Sequence, residues 1–278
     1  MGYRILKKKV LAPKTVLFEV DAAQIASKAK AGQFIILRVA EHGERIPLTI
    51  AQTQPDKGRV TIVVQELGKT TFDLNRLEEG DEILDFVGPL GKPTHIQENG
   101  TIVCVGGGVG NAVVWAQVQG FKEAGNRVLT IIGARNKEML ILENEIGSIS
   151  DELIVTTDDG SYGRKGVVTE ALAELLAREK VDEVVTIGPP LMMRAVSDLT
   201  RPYRVKTVAS LNSIMVDATG MCGACMVPVT IEGKMVRKHA CIDGPELDAH
   251  LIDWDKFLPR FLQFRKQEDE NKSRHGFG

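Results

Sequence analysis

Three cysteines in the stretch "VDATGMCGACMVPVTIEGKMVRKHACIDG" (216–244) fall in a C-x2-C-x15-C pattern: Cys222, Cys225 and Cys241. Thiolates so closely spaced are ligands for a soft metal, but a tetrahedral site takes four donors. The fourth cysteine, Cys104, lies far upstream in the apolar run "TIVCVGGG" and reads as core. One way to complete the set is His239, giving a Cys3His zinc site. His239 and Cys241 are separated by one residue and point the same way only along an extended chain. The other way is a [2Fe–2S] centre, which usually takes four thiolates. The glycines of "TGMCGAC" suit it, because they let backbone amides approach cluster sulfides.

A second candidate site lies in "TIVCVGGGVGNAVVWAQVQGFKEAG", which reads as a buried strand, a glycine turn and a helix ending at Gly125. Gly106, Gly107, Gly108 and Gly110 allow a tight turn and bring backbone N–H groups to a phosphate at the positive end of a helix. The spacing is not a strict G-x-G-x-x-G, and Asn111 stands where the last glycine would fall. "TTDDGSYGRKG" supplies a long polar loop with Asp158, Asp159 and Ser161, which are either ligand contacts or plain turn and cap residues. "GPPLMM" adds Gly188 and Pro189 at the next strand end, with Met192 and Met193 as packing. Ligands of open α/β sheets bind at this carboxyl edge, so three special loops along it favour a nucleotide.

The elements that must position these residues change grammar along the chain. Residues 1–97 read as short strands, "YRILKKKVLA", "TVLFEVDA", "GQFIILRVA", "PLTIAQT", "RVTIVVQEL" and "DEILDFVGPLG", with one helix, "TTFDLNRLEEG". That spacing predicts an antiparallel β-barrel. Residues 98–210 alternate apolar strands with helices starting near Gly110, Lys137, Gly166 and Pro190, which predicts a parallel sheet covered on both faces. The expected class is therefore α/β plus β. Residues 211–255 show little periodicity and form a small C-terminal module that a metal centre would staple. Residues 256–278 are a tail whose mixed-charge end, "FRKQEDENKSRHGFG", is expected to fray.

Composition limits the function classes. The 278 residues suffice for two domains with cores, and a net charge of −2 advertises no nucleic-acid surface. No apolar run reaches the roughly 18 residues of a membrane span. The N-terminus "MGYRILKKKVLAPK" lacks a signal-peptide core, and Leu6 breaks the myristoylation pattern, so a soluble, cytoplasmic protein is expected. There a cysteine cluster is a metal or redox site before it is a disulfide framework.

"ERIPLTI" (44–50) followed by "TIVVQELGKTT" (61–71) links the barrel to the rest. Barrel, nucleotide domain and cysteine cluster, in that order, resemble the ferredoxin–NADP reductase superfamily over roughly residues 3–255. The similarity is greatest to the branch of dihydroorotate dehydrogenase B iron–sulfur subunits and the small subunits of NADH-dependent ferredoxin:NADP oxidoreductases, often named as sulfide dehydrogenase. The resemblance implies FAD in the cleft between barrel and nucleotide domain. Pro47, Leu48 and Thr49 would line the isoalloxazine and ribityl chain, with Val63, Val64 and Gln65 on the next flavin strand. Thr70 and Thr71 would meet the pyrophosphate. Many relatives carry arginine directly before the Pro-Leu run, whereas here Ile46 stands there and Arg45 one place earlier, which would turn it to the other strand face. Relatives also often carry a Cys-Gly-Pro turn by the nicotinamide; Ile187-Gly188-Pro189 offers no thiol.

The same resemblance bears on the metal. The related C-x4-C-x2-C…C pattern places Cys222, Cys225 and Cys241 on its last three positions and Asp217 on the first. A carboxylate is a hard donor that ferric iron accepts, with an altered potential. Iron is preferred to zinc because the flavin gives a one-electron centre a role. The implied protein takes hydride from NADH and passes single electrons through [2Fe–2S] to a larger flavin and iron–sulfur partner that binds NADP and exchanges electrons with ferredoxin, by electron bifurcation. Arg135 and Lys137 lean towards a 2′-phosphate and thus NADP; the resemblance favours NAD(H). Two alternatives remain: an electron-transfer subunit serving an FMN-containing dihydroorotate dehydrogenase, and a flavin-free, zinc-stapled nucleotide-binding regulator.

Overall fold

A computed structural model describes residues 2–261 and 263–275; Met1, Leu262 and 276–278, which fall within the terminal segments read above, lie outside the described residues. The first region carries strands β1 (Tyr3–Ala12), β2 (Thr15–Asp21), β3 (Phe34–Arg38), β4 (Ile46–Gln54), β5 (Arg59–Gln65), β6 (Glu82–Ile83) and β7 (Asp85–Leu90), with helices α1 (Ala23–Ala26) and α2 (Lys69–Asn75). They form one antiparallel sheet in the order β6-β1-β2-β5-β4-β3-β7, a nearly closed barrel. β2 and β5 bury both faces. Val16, Phe18 and Val20 fill the barrel with Ile62 and Val64, while Leu17 and Val63 turn outward against the nucleotide domain. The period of two thus serves two cores at once. The helix expected over 70–80 begins at Lys69 and ends at Asn75, short of Gly80; α1 was not expected.

The second region continues with β8 (Thr101–Gly107), α3 (Asn111–Glu123), β9 (Arg127–Ala134), α4 (Glu143–Gly147), β10 (Glu152–Thr157), β11 (Arg164–Lys165), α5 (Val168–Arg178), β12 (Glu183–Ile187), α6 (Pro190–Thr200) and β13 (Lys206–Ser210). β10-β9-β8-β12-β13 run parallel, with the order reversing at β8. Buried Val114, Val118 and Phe121 give α3 a stripe of helical period against one face; Val168, Leu172 and Leu175 do the same for α5 against the other. No full helix starts at Lys137. Residues Lys137–Met139 make a single 3-10 turn, and Asn136 caps it through Oδ1 accepting from the Met139 N–H at 3.1 Å.

The third region corrects a larger expectation. It is not coreless: β14 (Met226–Ile231) and β15 (Lys234–His239) form a hairpin, followed by α7 (Ala240–Asp243), β16 (Glu246–Asp248) and α8 (Trp254–Phe257). Val227, Val229, Ala240, Trp254 and Phe257 pack with Phe34 and Ile36 of β3 and Met193 of α6. β16 pairs antiparallel with β13 and so extends the nucleotide-domain sheet. The hairpin turn has Glu232 and Gly233 at positive φ, the Xaa-Gly signal that sequence reading passed over. The tail expected to fray carries α9 (Arg265–His275) as far as it is described. Among the described residues no helix is long and apolar enough to cross a membrane.

Glu246 stitches the three regions together. It is half-buried, and its Oε1 accepts from Thr94 Oγ1 at 2.7 Å and from Gln117 Nε2 of α3. Burial pushes its carboxyl up to about 7, against the lowering effect of the Thr94 and Gln117 hydrogen bonds.

Candidate functional site

At the carboxyl edge of the parallel sheet, β8 ends in Gly106 and Gly107, and Gly108–Gly110 make a 3-10 turn into α3. Gly108 has φ +57 with open space around it. A Cβ on Gly110 would lie 2.4 Å from the Ile187 carbonyl oxygen, so this close approach admits only glycine. Asn111, fully buried, has both amide atoms without a partner. Nothing in its sequence position showed this, and such orphaned groups are rare enough to mark a place where a bound molecule or water is accommodated. Gly188 and Pro189 lead into α6, whose Met193 is core as expected. Met192 also packs on the turn, its Sδ beside Gly107.

The 157–163 loop is knitted to the end of β9. The Asp158 and Asp159 N–H groups donate to the carbonyls of Ala134 and Arg135, and the Lys137 N–H donates to Ser161 Oγ at 2.9 Å. Asp159 is a turn residue: its Oδ1 accepts from the Ser161 N–H at 2.9 Å, and Ser161 hydrogen bonds hold its carboxyl below the usual range. It does not cap α5, whose N-cap is Val167. The Asp158 side chain is exposed. Sequence reading missed Tyr162, whose hydroxyl donates to Glu143 at 2.9 Å while Lys137 Nζ lies 5.1 Å from its ring centroid.

On the barrel side, Pro47, Leu48 and Thr49 pair with Ile36, Ile35 and Phe34. Leu48 turns towards the barrel core, and Pro47 and Thr49 to the other face. Val63 packs against the nucleotide domain, Val64 points into the barrel, and Gln65 is half-buried. Only the backbone of Val64 therefore faces away from the barrel core. Thr70 Oγ1 lies 3.5 Å from Glu44. Thr71 Oγ1 is engaged at the start of α2, accepting from the Leu67 and Gly68 N–H groups at 2.9 and 3.0 Å. Arg45 precedes β4 and lies 3.9 Å from Asp85, which is bonded to Arg38 at 2.6 Å. β5 lies against the Gly108–Gly110 turn, so the barrel strand and the nucleotide edge meet.

The cysteines occupy irregular chain. Cys225 and Cys241 are buried with their Sγ atoms 3.2 Å apart, whereas Cys222 is exposed. Asp217 is exposed: its Oδ1 accepts from the Thr219 N–H at 2.9 Å and its Oδ2 from the Cys222 N–H at 3.2 Å. The Thr219 N–H, with Cys222 contributing, holds this carboxyl below its usual range. Burial pushes the Cys241 thiol up, as do its hydrogen bond and charge interaction with Cys225, while the Gly220 N–H draws it down. Among the described residues these groups do not close into a cage of three or more donors. His239 is placed poorly for the zinc alternative. α7 begins at Ala240, so the extended geometry that would align His239 with Cys241 is absent, and the His239 N–H donates to Asp243 at 2.8 Å. Cys104 is fully buried core, its thiol driven far above the ordinary range by burial. Paired buried thiols, a third on an open loop, an anionic oxygen donor and a backbone N–H directed at sulfur fit a thiolate-bound iron–sulfur group.

Comparison with known proteins agrees. Residues 212–253 match the iron–sulfur cluster binding domain of dihydroorotate dehydrogenase B. A Thermotoga maritima protein described as a dihydroorotate dehydrogenase B (NAD(+)) electron transfer subunit homolog is 46% identical over 264 residues, covering 95% of this chain and 92% of its own. The chain belongs to the family of dihydroorotate dehydrogenase B electron-transfer subunits and their homologues. A Desulforamulus reducens member of that family is 30% identical over 91% of this chain and 97% of its own. Among solved structures, a chain of NADH-dependent reduced ferredoxin–NADP oxidoreductase, studied for flavin-based electron bifurcation, superposes with a TM-score of 0.92 at 44% identity, covering 99% of this chain and 98% of that one. Phthalate dioxygenase reductase, at 14% identity and a TM-score of 0.59, shares the fold. Family and fold class thus stand as the sequence predicted: an antiparallel barrel, a parallel nucleotide-binding-type domain and a C-terminal module matching an iron–sulfur domain.

Proposed function

We propose that this family member takes electrons from NADH, or returns them to NAD, and passes them singly to a larger partner subunit in an NADH-dependent ferredoxin:NADP oxidoreductase of the bifurcating kind. The observation that carries this reading is the contact of β5 with the Gly108–Gly110 turn, which brings the candidate flavin strand to the candidate nucleotide edge. Bound FAD supplies two-electron exchange with nicotinamide and one-electron exchange with a [2Fe–2S] cluster. Pro47, Leu48, Thr49 and the 63–65 segment would hold the ring system, and Thr70 with the segment preceding α2 would hold the pyrophosphate. Because the Thr71 hydroxyl already caps α2, its part is to shape that turn. Gly106, Gly107, Gly108, Gly110, Gly188 and Pro189 would seat the nicotinamide nucleotide, and the loop carrying Asp158 and Asp159 would bound its far end. Asp217, Cys222, Cys225 and Cys241 would hold the cluster. No side chain at the edge is needed to move a proton during hydride transfer; the residues there bind, orient and exclude water.

Anaerobic titration tests this. NADH is expected to bleach the flavin and then reduce the cluster, and bleaching by NADPH alone would reverse the choice of nucleotide. A second reading rests on the family model matched at 212–253 and the relatives' names: a partner that binds FMN and oxidises dihydroorotate. Three cysteines where that pattern carries four weigh against it.

A further inference from the structure

Arg260 lies beyond the 212–253 segment matched to the iron–sulfur domain, yet it reaches back to it. Its Nη2 donates to the Ala224 carbonyl at 3.1 Å, between Cys222 and Cys225. That carbonyl belongs to the peptide unit that also carries the Cys225 N–H. The arginine is held in place from its own side. It sits in a 3-10 turn (Leu258–Phe261) after α8, flanked by an aromatic run in which Trp254 meets Phe257 edge-on at 6.0 Å and Phe257 meets Phe261 at 5.0 Å. Phe257 is 1% exposed, so the base of this turn is fixed in the core. Arg260, Ala224, Phe257 and Phe261 also line a small cleft with Ser213 and Met226. Among the described residues Arg260 forms no ion pair, whereas Lys238 in β15 lies 3.4 Å from Asp243. A half-buried, uncancelled positive charge is therefore pinned to the backbone of the cysteine loop.

We propose that Arg260 is a positioning residue that fixes the Cys222–Cys225 loop and raises the reduction potential of the cluster held there. This rests on the reading that Cys222, Cys225 and Cys241 bind [2Fe–2S]. The physical basis is charge. Reduction adds one electron to a centre already made anionic by its thiolate ligands, and a fixed cation stabilises the more negative state more than the less negative one. The charged hydrogen bond also polarises the Ala224–Cys225 peptide, which strengthens its N–H as a donor.

The test compares Arg260→Gln, which keeps an N–H donor and removes the charge, with Arg260→Lys, which keeps the charge on a single point donor. Each full-length protein is purified anaerobically, its iron is measured, and the cluster is titrated by electron paramagnetic resonance against ambient potential. Arg260→Lys is expected to stay close to the parent midpoint. Arg260→Gln is expected to show about a tenfold lower reduced-to-oxidised ratio at a fixed potential, equivalent to about 59 mV for a one-electron centre. Iron loss from Arg260→Gln alone, with Arg260→Lys intact, would support the role of the charge. Equal midpoints for Arg260→Gln and the parent would overturn the proposal. Iron loss from both variants would overturn it too, since the contact would then be structural. A parent protein with no [2Fe–2S] signal would instead refute the underlying reading, before any variant is compared.

Discussion

The carboxyl edge of the parallel sheet and the cysteine loop, the two ligand sites proposed above, are built in opposite ways. The edge is made of backbone: glycines at the ends of β8 and β12, held by a seven-stranded sheet and two helix layers. The cysteine loop is made of side chains on irregular chain, with Ala218, Gly220 and Gly223 all at positive φ and Cys222 exposed. The edge is therefore formed without a ligand, and the proposed nucleotide binding there would cost little ordering. If the loop holds the proposed cluster, it would gain its last constraint from that group, and ligand binding and local folding would be coupled there.

The largest expected effect breaks one region and spares the other. Cys241→Ser removes half of the buried thiol pair. Iron content and the cluster absorption should be lost almost completely, while flavin content and bleaching by NADH should change less than about twofold, because β4 and β5 rest on a barrel core of their own. Parallel loss of flavin would show that the two regions are not separable.

The reverse break is Gly110→Val. Its side chain would begin 2.4 Å from the Ile187 carbonyl oxygen, and overpacking of this kind costs about 1–3 kcal/mol. Nucleotide affinity should fall steeply and the melting temperature should drop, with iron content unchanged. An unaltered affinity would show that the turn does not seat the nucleotide.

Glu246 sharpens the comparison because it joins the regions. Its carboxyl is raised from an ordinary 4.5 to about 7 in the folded protein, so the favourable contribution is full below pH 4.5 and is lost as pH rises through 7. Glu246→Gln should remove that loss. The variant gains on the parent between pH 4.5 and 7, by on the order of 2–3 kcal/mol above pH 7, measured by denaturant unfolding across pH. An identical pH dependence in parent and variant would contradict the raised value.

The smallest expected effect is at Asp217. Asp217→Cys should keep the cluster but change its spectrum and potential, because a soft thiolate replaces a hard oxygen. No change in either would mean that Asp217 only caps its turn through the Thr219 and Cys222 N–H groups.

The same contrast decides how much was legible in the sequence. The parallel strands were legible, the buried strand read at the head of "TIVCVGGG" falling on β8 from Thr101 to Gly107, because buried strands declare themselves as short apolar runs. The glycine turn was legible for the same reason, since its geometry follows from residue type. The helix near Lys137 failed because a single capped turn and a short helix carry too few residues for a period to show. The C-terminal module was underestimated. Its core is shared with Phe34, Ile36 and Met193, residues far away in sequence that no local pattern connects to it. The three cysteines were visible at once, but their unequal burial was not, because Cys225 and Cys241 are enclosed by that shared core. Tyr162 gave no signal, and Asn111 showed only as the residue standing in for a glycine, because the surroundings of both depend on what the fold places there.

The central claim, that one chain carries a flavin and an iron–sulfur centre, is tested most directly by metal, sulfide and flavin analysis of the anaerobically purified protein, together with its ultraviolet–visible spectrum. The account predicts iron and acid-labile sulfide in equal amounts, one FAD per chain and overlapping absorption from both groups. A colourless protein with stoichiometric zinc and no flavin would contradict it.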